Sequence, residues 1–354
     1  MIGAKPKKSV LWRSEGGDLE TIYSDDESGS EEEKEPESHD VALLERATNR
    51  FEKLSIISGK DEKEIPVCDK LLWESIQDGS LEHVKLAVLK GARPWKESYD
   101  TSCLPICAAI ENGYNDICLF LLSQVARLPE RGFCEKYEQR HTLFDVVKYC
   151  KLETFKAFLN KGADHRIKDS SGNTVLHTAA CCNHLEVARY LLSAEIKTPA
   201  DVVNHKGETP LYQATEHNSL DVMRCLIDNG ADVRKFITYG RLGYQGYSMT
   251  TALHIAAFCG YVPAAKLLIN AGALVDQIDS YGQTALHDAL SVGVSRESYP
   301  HHGTPEMIYF LLITADANQD IQDNFGKTAF DEADPKIIEK YTSYIKPLLR
   351  KLSK

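Results

Sequence analysis

No run of about 18 consecutive apolar residues occurs in this 354-residue chain, so no membrane span or membrane insertion is expected. The opening stretch, Met1 to Asp18, has no apolar core of the kind a secretory signal carries. That points to a cytoplasmic or nuclear protein, or one found in both places, and the Lys5-Pro6-Lys7-Lys8 cluster is compatible with a nuclear signal. Ten cysteines are present, but no Cys-x-x-Cys pair, so no zinc site is signalled. In a reducing compartment they are expected to remain thiols, most of them acting as small buried apolar residues. The phosphate-binding Gly-x-x-x-x-Gly-Lys-Ser/Thr loop, the Gly-x-Ser-x-Gly elbow and the kinase signatures are all missing. No enzyme activity, cofactor or metal is therefore expected. A basic excess is missing too. The net charge is −11; residues 1–66 hold 10 Lys/Arg against 17 Asp/Glu, which leaves −4 for the other 288 residues. A body so close to neutral has no face suited to neutralising phosphates, and nucleic acid is not the expected partner.

What the chain does have is 43% hydrophobic residues, enough for a real core, and an internal repeat. Thr251-Ala252-Leu253-His254-Ile255-Ala256-Ala257 returns as Thr174-Val175-Leu176-His177-Thr178-Ala179-Ala180. It returns again from Thr209-Pro210-Leu211-Tyr212 and from Thr284-Ala285-Leu286-His287. Gly172, Gly207 and Gly282 stand two residues before three of these threonines, and a second apolar run follows each copy. Weaker copies open near 70, 104 (Leu104-Pro105-Ile106), 141 (His141-Thr142-Leu143) and 328 (Thr328-Ala329-Phe330). The equivalent positions 70, 104, 141, 174, 209, 251, 284 and 328 step by 34, 37, 33, 35, 42, 33 and 44 residues.

A period near 33 with this motif resembles the ankyrin-repeat family. The resemblance covers about residues 67–354 and implies an all-α solenoid of about eight helix-turn-helix units. The residues themselves support that reading. Thr is a natural N-cap, Pro210 suits the first helical position, and Leu followed by paired alanines makes an apolar stripe at helical spacing. Glycine before the threonine suits a turn with positive φ. One helix pair cannot bury its own apolar face, so stacking must supply the core.

His177, His254 and His287 invite a metal or catalytic reading. They occupy one repeat position, however, and so are strung one per unit along a stack instead of converging. The resemblance implies structural hydrogen bonds near the helix start. Cys181-Cys182 at the end of a first helix is open to two readings, a reactive thiol or ordinary helix packing. His301-His302 has no partner spacing for a metal.

Departures from the repeat point to the partner. The connection Val233–Thr250 carries Arg234, Phe236, Tyr239, Arg241, Tyr244 and Tyr247, and Tyr and Arg are the residues most enriched at interaction hot spots. Glycines 240, 243 and 246 exclude a regular helix there. In the family, such connections are projecting fingers, so this one is expected to be a lengthened finger. A second insertion, Gly293–Thr304, is expected as a spacer on the opposite edge. Ala194–Asp201 is expected to lengthen another finger. The resemblance places protein contacts at finger tips: Arg166, Lys168, Asp169 and Ser170; His205 and Lys206; Asp276, Asp279 and Tyr281; Asp320, Asn324 and Phe325. The first-helix contact positions are Thr178, Gln213, Ile255 and Asp288.

Residues 1–40 are acidic and poor in aliphatics, and disorder is expected there. Ser24, Ser28 and Ser30 each precede an acid by three residues, as acidophilic kinase sites do, so they are phosphorylation candidates. Residues 41–66 read as an amphipathic helix and linker, with Leu43, Leu44, Ala47, Phe51 and Leu54 on one face. At the other end, Pro335 interrupts the last unit, and apolar residues from Ile337 to Leu349 recur at helical spacing, as a capping helix needs. The expected function is that of an intracellular scaffold or adapter binding one or more proteins. The alternative is a phospho-regulated inhibitor of a transcription factor, of the kind that combines an acidic degron with ankyrin repeats, or the substrate-recognition part of a ubiquitin ligase.

Overall fold

The architecture comes from a computed structural model that describes residues 67–95, 103–128, 139–239, 248–291, 304–333 and 335–352. The acidic segment, residues 41–66 and most of the insertion at 293–304 lie outside these residues. Helices come in antiparallel pairs: α1 (Val67–Gln77) with α2 (Leu81–Leu89), α3 (Pro105–Glu111) with α4 (Asn115–Ser123), α5 (Gln139–Tyr149) with α6 (Leu152–Asn160), and α7 (Val175–Cys181) with α8 (Leu185–Leu192). The series continues with α9 (Pro210–Glu216) and α10 (Leu220–Asp228), then α11 (Ala252–Cys259) and α12 (Val262–Asn270). α13 (Ala285–Leu290) pairs with α14 (Pro305–Tyr309), which runs on into a single π-helical turn over Phe310–Thr314. A last helix, α15, spans Pro335–Leu352.

First helices stack on first helices, α5 on α7 on α9 on α11 on α13, and second helices stack on second helices in a parallel row. The reason lies in side-chain size. Ala179, Ala180, Ala214, Ala256, Ala257 and Ala289 have no exposed surface, so neighbouring first helices approach closely. Leu176, Leu211, Leu253 and Leu286 fill the layer between rows, each stabilising the stack by about 1.5–3 kcal/mol of buried apolar surface. The tight turns between paired helices use Asn183 (φ 54°) and Asn218 (φ 54°) where Gly113 and Gly260 stand in other units. The left-handed conformation lets the following N–H reach back five residues, His184 to Ala179 and Ser219 to Ala214.

Three segments depart locally from the repeat. Between Ile237–Tyr239 (β1) and Ser248–Thr250 (β2) the chain forms an antiparallel hairpin, with Ile237 opposite Thr250 and Thr238 opposite Met249. Residues 194–200 fold back on α8 instead of extending: Lys197 N–H donates to Ser193 and Thr198 N–H to the Leu191 carbonyl. After Thr328 the chain makes a turn, not a helix, although the Asp331 carboxylate takes the Thr328 N–H and its hydroxyl much as a histidine does in the helical units. α15 then lies against α14, burying Ile337 and setting Tyr344 edge-on to Tyr309 at 6.1 Å.

Candidate protein-binding site

The site begins with how each helix pair is joined to the next. In three units a histidine three residues past the N-cap threonine is buried. Thr174 N–H donates to His177 Nδ1 at 3.1 Å, and the same pairing recurs at Thr251–His254 and Thr284–His287. Nδ1 is therefore the acceptor nitrogen, and the proton sits on Nε2. That Nε2 donates forward to the next unit's backbone, to the Glu208, Gln283 and Lys327 carbonyls at 3.0, 3.1 and 3.3 Å. The histidines are stitches between units, one per layer, as the repeat position implied. Among the described residues no group of three or more His, Cys, Asp or Glu side chains is arranged to hold a metal ion.

Burial holds the His177 ring below its usual pKa, with hydrogen bonding to the Glu208 carbonyl opposing this. A depressed histidine pKa means that the unfolded chain takes up a proton that the folded chain refuses. The stability tied to the neutral ring is thus complete above about pH 6.5 and is lost as the pH falls from there toward the folded pKa. Unfolding titrations at pH 7.5 and 5.5 should show a loss of stability in the wild type that is smaller in His177→Gln; equal losses would contradict this.

The same unit boundaries carry the fingers. His205 N–H donates to the Ser171 carbonyl and Asn324 N–H to the Tyr281 carbonyl, so successive tips are hydrogen-bonded side by side. Gly172 (φ +78°) and Gly282 (φ +77°) make this approach possible. A Cβ on Gly172 would stand 2.5 Å from the His205 ring, and one on Gly282 would stand 2.9 Å from the Asn324 nitrogen. Met249 N–H donates to Ser280 Oγ, which ties the hairpin to the finger after it. Buried Asn204 donates to Asn173 and to the carboxylate of buried Glu208, and Gln213 donates to the same two groups. The fingers are therefore a braced row.

Several expected contact residues prove to be part of this bracing. Asp279 is only 7% exposed, and its carboxylate accepts the Tyr281 and Gln283 N–H groups. Asp169 likewise holds the Ser171 and Asn173 backbone and the Asn173 side chain. Both shape turns. Asp288 is buried, against its expected place on the open face, and Gln213 is spent on the network above. Asp276 is exposed yet accepts the Asn318 N–H of the following unit. Arg166, His205 and Lys206 are exposed at tips, and Tyr281 is half-buried. Arg234 is exposed, with its Nε hydrogen-bonded to the Gly272 carbonyl at 2.7 Å. The structure places Tyr239 on β1, without describing its side chain, while Arg241, Tyr244 and Tyr247 lie outside the described residues, as do Ser24, Ser28 and Ser30.

Beside these polar tips the fingers also expose apolar side chains. Val203 is 39% exposed, Phe236 37% and Ile278 49%. Val203 and Ile278 each stand six residues before an N-cap threonine; Phe236 and Ile278 each stand five after the alanine that ends the second-helix turn. All three thus occupy one position on three consecutive fingers. Met249 on β2 is 44% exposed, and Phe325 at the last tip, three residues before Thr328, is 74% exposed. Only Phe236 and Phe325 stood out by type in the sequence. Val203, Ile278 and Met249 become visible only once the fingers are aligned in register, because single exposed aliphatics carry no signal of their own.

A family model described as ankyrin repeats (3 copies) matches residues 143–237 and 241–298, and one described as ankyrin repeats (many copies) matches residues 211–269. An ankyrin repeat protein of Rickettsia felis is 30% identical over 232 residues, which cover 64% of this chain and 92% of that protein. This chain belongs to the ankyrin-repeat family. Ankyrin repeats are protein–protein interaction modules, so the finger row belongs to a fold that binds proteins. The neurogenic locus notch homolog protein 1 of Xenopus laevis is 31% identical over 173 residues, 49% of this chain but 6% of that protein, so the ankyrin-repeat chain spans a small part of the Notch length. Among solved structures, the ankyrin repeat protein EF0377 aligns with a TM-score of 0.45 and 22% identity over 58% of this chain and 96% of its own. A chain from a Bdellovibrio bacteriovorus predatory endopeptidase–immunity protein complex aligns with a TM-score of 0.44 and 24% identity over 57% of this chain and 92% of its own. Among the described residues of this ankyrin-repeat protein, no helix is long and apolar enough to cross a membrane.

Proposed function

We propose that this ankyrin-repeat chain is an adapter that takes a partner protein by an apolar segment laid across its fingers. The observation that carries this is the exposed apolar side chain at one register position on three consecutive fingers, Val203, Phe236 and Ile278. Their backbones are already fixed to their neighbours, so little conformational freedom remains to be lost on binding. Charged residues flank the row, Arg166, Lys168 and Lys206 toward one end and Asp276 and Asp320 toward the other, which suits a partner of alternating charge. The acidic segment holding Ser24, Ser28 and Ser30 is our candidate for phosphorylation-dependent control of this adapter.

The test uses the full chain as bait, with captured proteins quantified by mass spectrometry. A Val203→Ser/Phe236→Ser/Ile278→Ser triple variant should weaken capture of specific partners by at least about 100-fold, since each buried anchor contributes upward of 1 kcal/mol. Leu119→Ser on α4, a similar loss of exposed apolar surface away from the fingers, should leave capture unchanged. Partners that survive the triple substitution, or that are lost equally with Leu119→Ser, would sink the proposal.

A further inference from the structure

A second arrangement lies at the other end of the first helices, away from the N-cap threonines and the fingers. Cys181 is the last residue of α7, Cys182 caps that helix, and His217 caps α9. Stacking α9 on α7 brings Cys181 Sγ to 3.2 Å from His217 Nε2. The other ring nitrogen, Nδ1, is 2.9 Å from the Gln213 carbonyl oxygen of the same helix. A carbonyl oxygen only accepts, so Nδ1 carries the proton, and in the neutral ring Nε2 is left as an acceptor. The Cys181 S–H therefore donates to Nε2. A nucleophile, a base facing it and a third group that fixes the base's tautomer are the parts of an activated thiol. Cys181 is partly exposed, and Cys182 and His217 are exposed, so small molecules reach the pair.

We propose that Cys181 is a reactive thiol and a modification site, oxidised to a sulfenic acid by hydroperoxides. The S–H proton passes to His217 Nε2. The thiolate sulfur attacks one oxygen of the peroxide, an S–O bond forms as the O–O bond breaks, and the departing oxygen takes up the proton from the imidazolium. Sulfur is oxidised by two electrons, and the peroxide is reduced to an alcohol, or to water when the oxidant is hydrogen peroxide.

The surrounding charges act on the same sulfur. The Cys181 thiol is drawn down to about 7, first by the hydrogen bond from the Cys182 thiol and also by the Lys148 ammonium on α5; burial and the Glu216 carboxylate on α9 pull the other way. Cys182 is pushed up by the same hydrogen bond, which separates the two neighbours into one nucleophile and one donor. Buried Cys259 is driven up to about 12 by desolvation, and Cys150, drawn down by the hydrogen bond from Cys118, is only 4% exposed, so neither competes for a peroxide in solution.

The test treats the full chain with one equivalent of hydrogen peroxide at pH 7, traps sulfenic acid with dimedone and maps all ten cysteines by mass spectrometry. Label on Cys181 should exceed that on Cys182 and Cys68 by at least about tenfold. His217→Gln, at an exposed helix end, should cut it about tenfold without moving the thermal midpoint. Independently of any variant, iodoacetamide alkylation of wild-type Cys181 should reach half its maximal rate near neutral pH. Label spread evenly over the exposed cysteines, a His217→Gln chain labelled like wild type, or an alkylation midpoint above pH 8 would overturn the proposal.

Discussion

A His254→Ala chain is expected to lose about 3–4 kcal/mol of unfolding free energy, measured by urea titration followed by circular dichroism. His254 is 1% exposed and holds three groups at once: Thr251 N–H, Thr251 Oγ1 at 2.8 Å, and the Gln283 carbonyl of the next unit. Alanine leaves the buried Thr251 N–H without this partner, at about 1–3 kcal/mol, takes one of two hydrogen bonds from the part-buried Gln283 carbonyl, which keeps the Asp279 N–H, and opens a hole where the ring was. The damage falls between layers. In a stack whose stability is a sum of unit and interface contributions, a weakened interface also loosens the coupling of the units on either side. A shallower or two-step transition should therefore accompany the loss. A decrease under 1 kcal/mol would mean that the stitch is decorative.

Phe155→Ala is the second large effect, about 3–5 kcal/mol by the same measurement. Phe155 on α6 has no exposed surface and meets Tyr190 on α8 edge-on, with centroids 6.4 Å apart and planes at 85°. Lys156 Nζ sits 4.7 Å from the same Tyr190 ring, so one aromatic of the next unit is gripped from two sides. Removing Phe155 leaves a ring-sized void at the junction of two second helices, which cannot collapse without shifting the units. Phe325→Ala is the matched contrast. That ring is 74% exposed, and its loss should change stability by less than about 0.5 kcal/mol.

The difference between these phenylalanines shows what could be read in advance. The solenoid was legible because its determinants are local and repeated: threonine caps, paired alanines and the glycine before three of the four strong caps recur near a fixed period. The histidine stitches were legible for the same reason, although their far partners, the Glu208, Gln283 and Lys327 carbonyls, needed the stacked geometry. The turn-shaping role of Asp169 and Asp279 was not legible. An aspartate in a turn looks the same in sequence whether it faces solvent or takes its own backbone N–H groups. The Cys181–His217 pair was hidden because its members are 36 residues apart and meet only through stacking. The turn after Thr328 was hidden because Thr328-Ala329-Phe330 reads like the other helix starts, and its Thr328–Asp331 pairing repeats the Thr174–His177 arrangement that does open a helix.

The braced fingers carry one more consequence, and it concerns measurement. First helices stacked at ordinary packing distance are about 8–10 Å apart, so Val203, Phe236 and Ile278 are teeth at roughly that interval. A helix laid along them presents the same side every seven residues, about 10.5 Å at 1.5 Å per residue. A helical ligand of the proposed adapter would therefore meet successive teeth at intervals close to its own two-turn repeat, with an apolar residue about once in every seven.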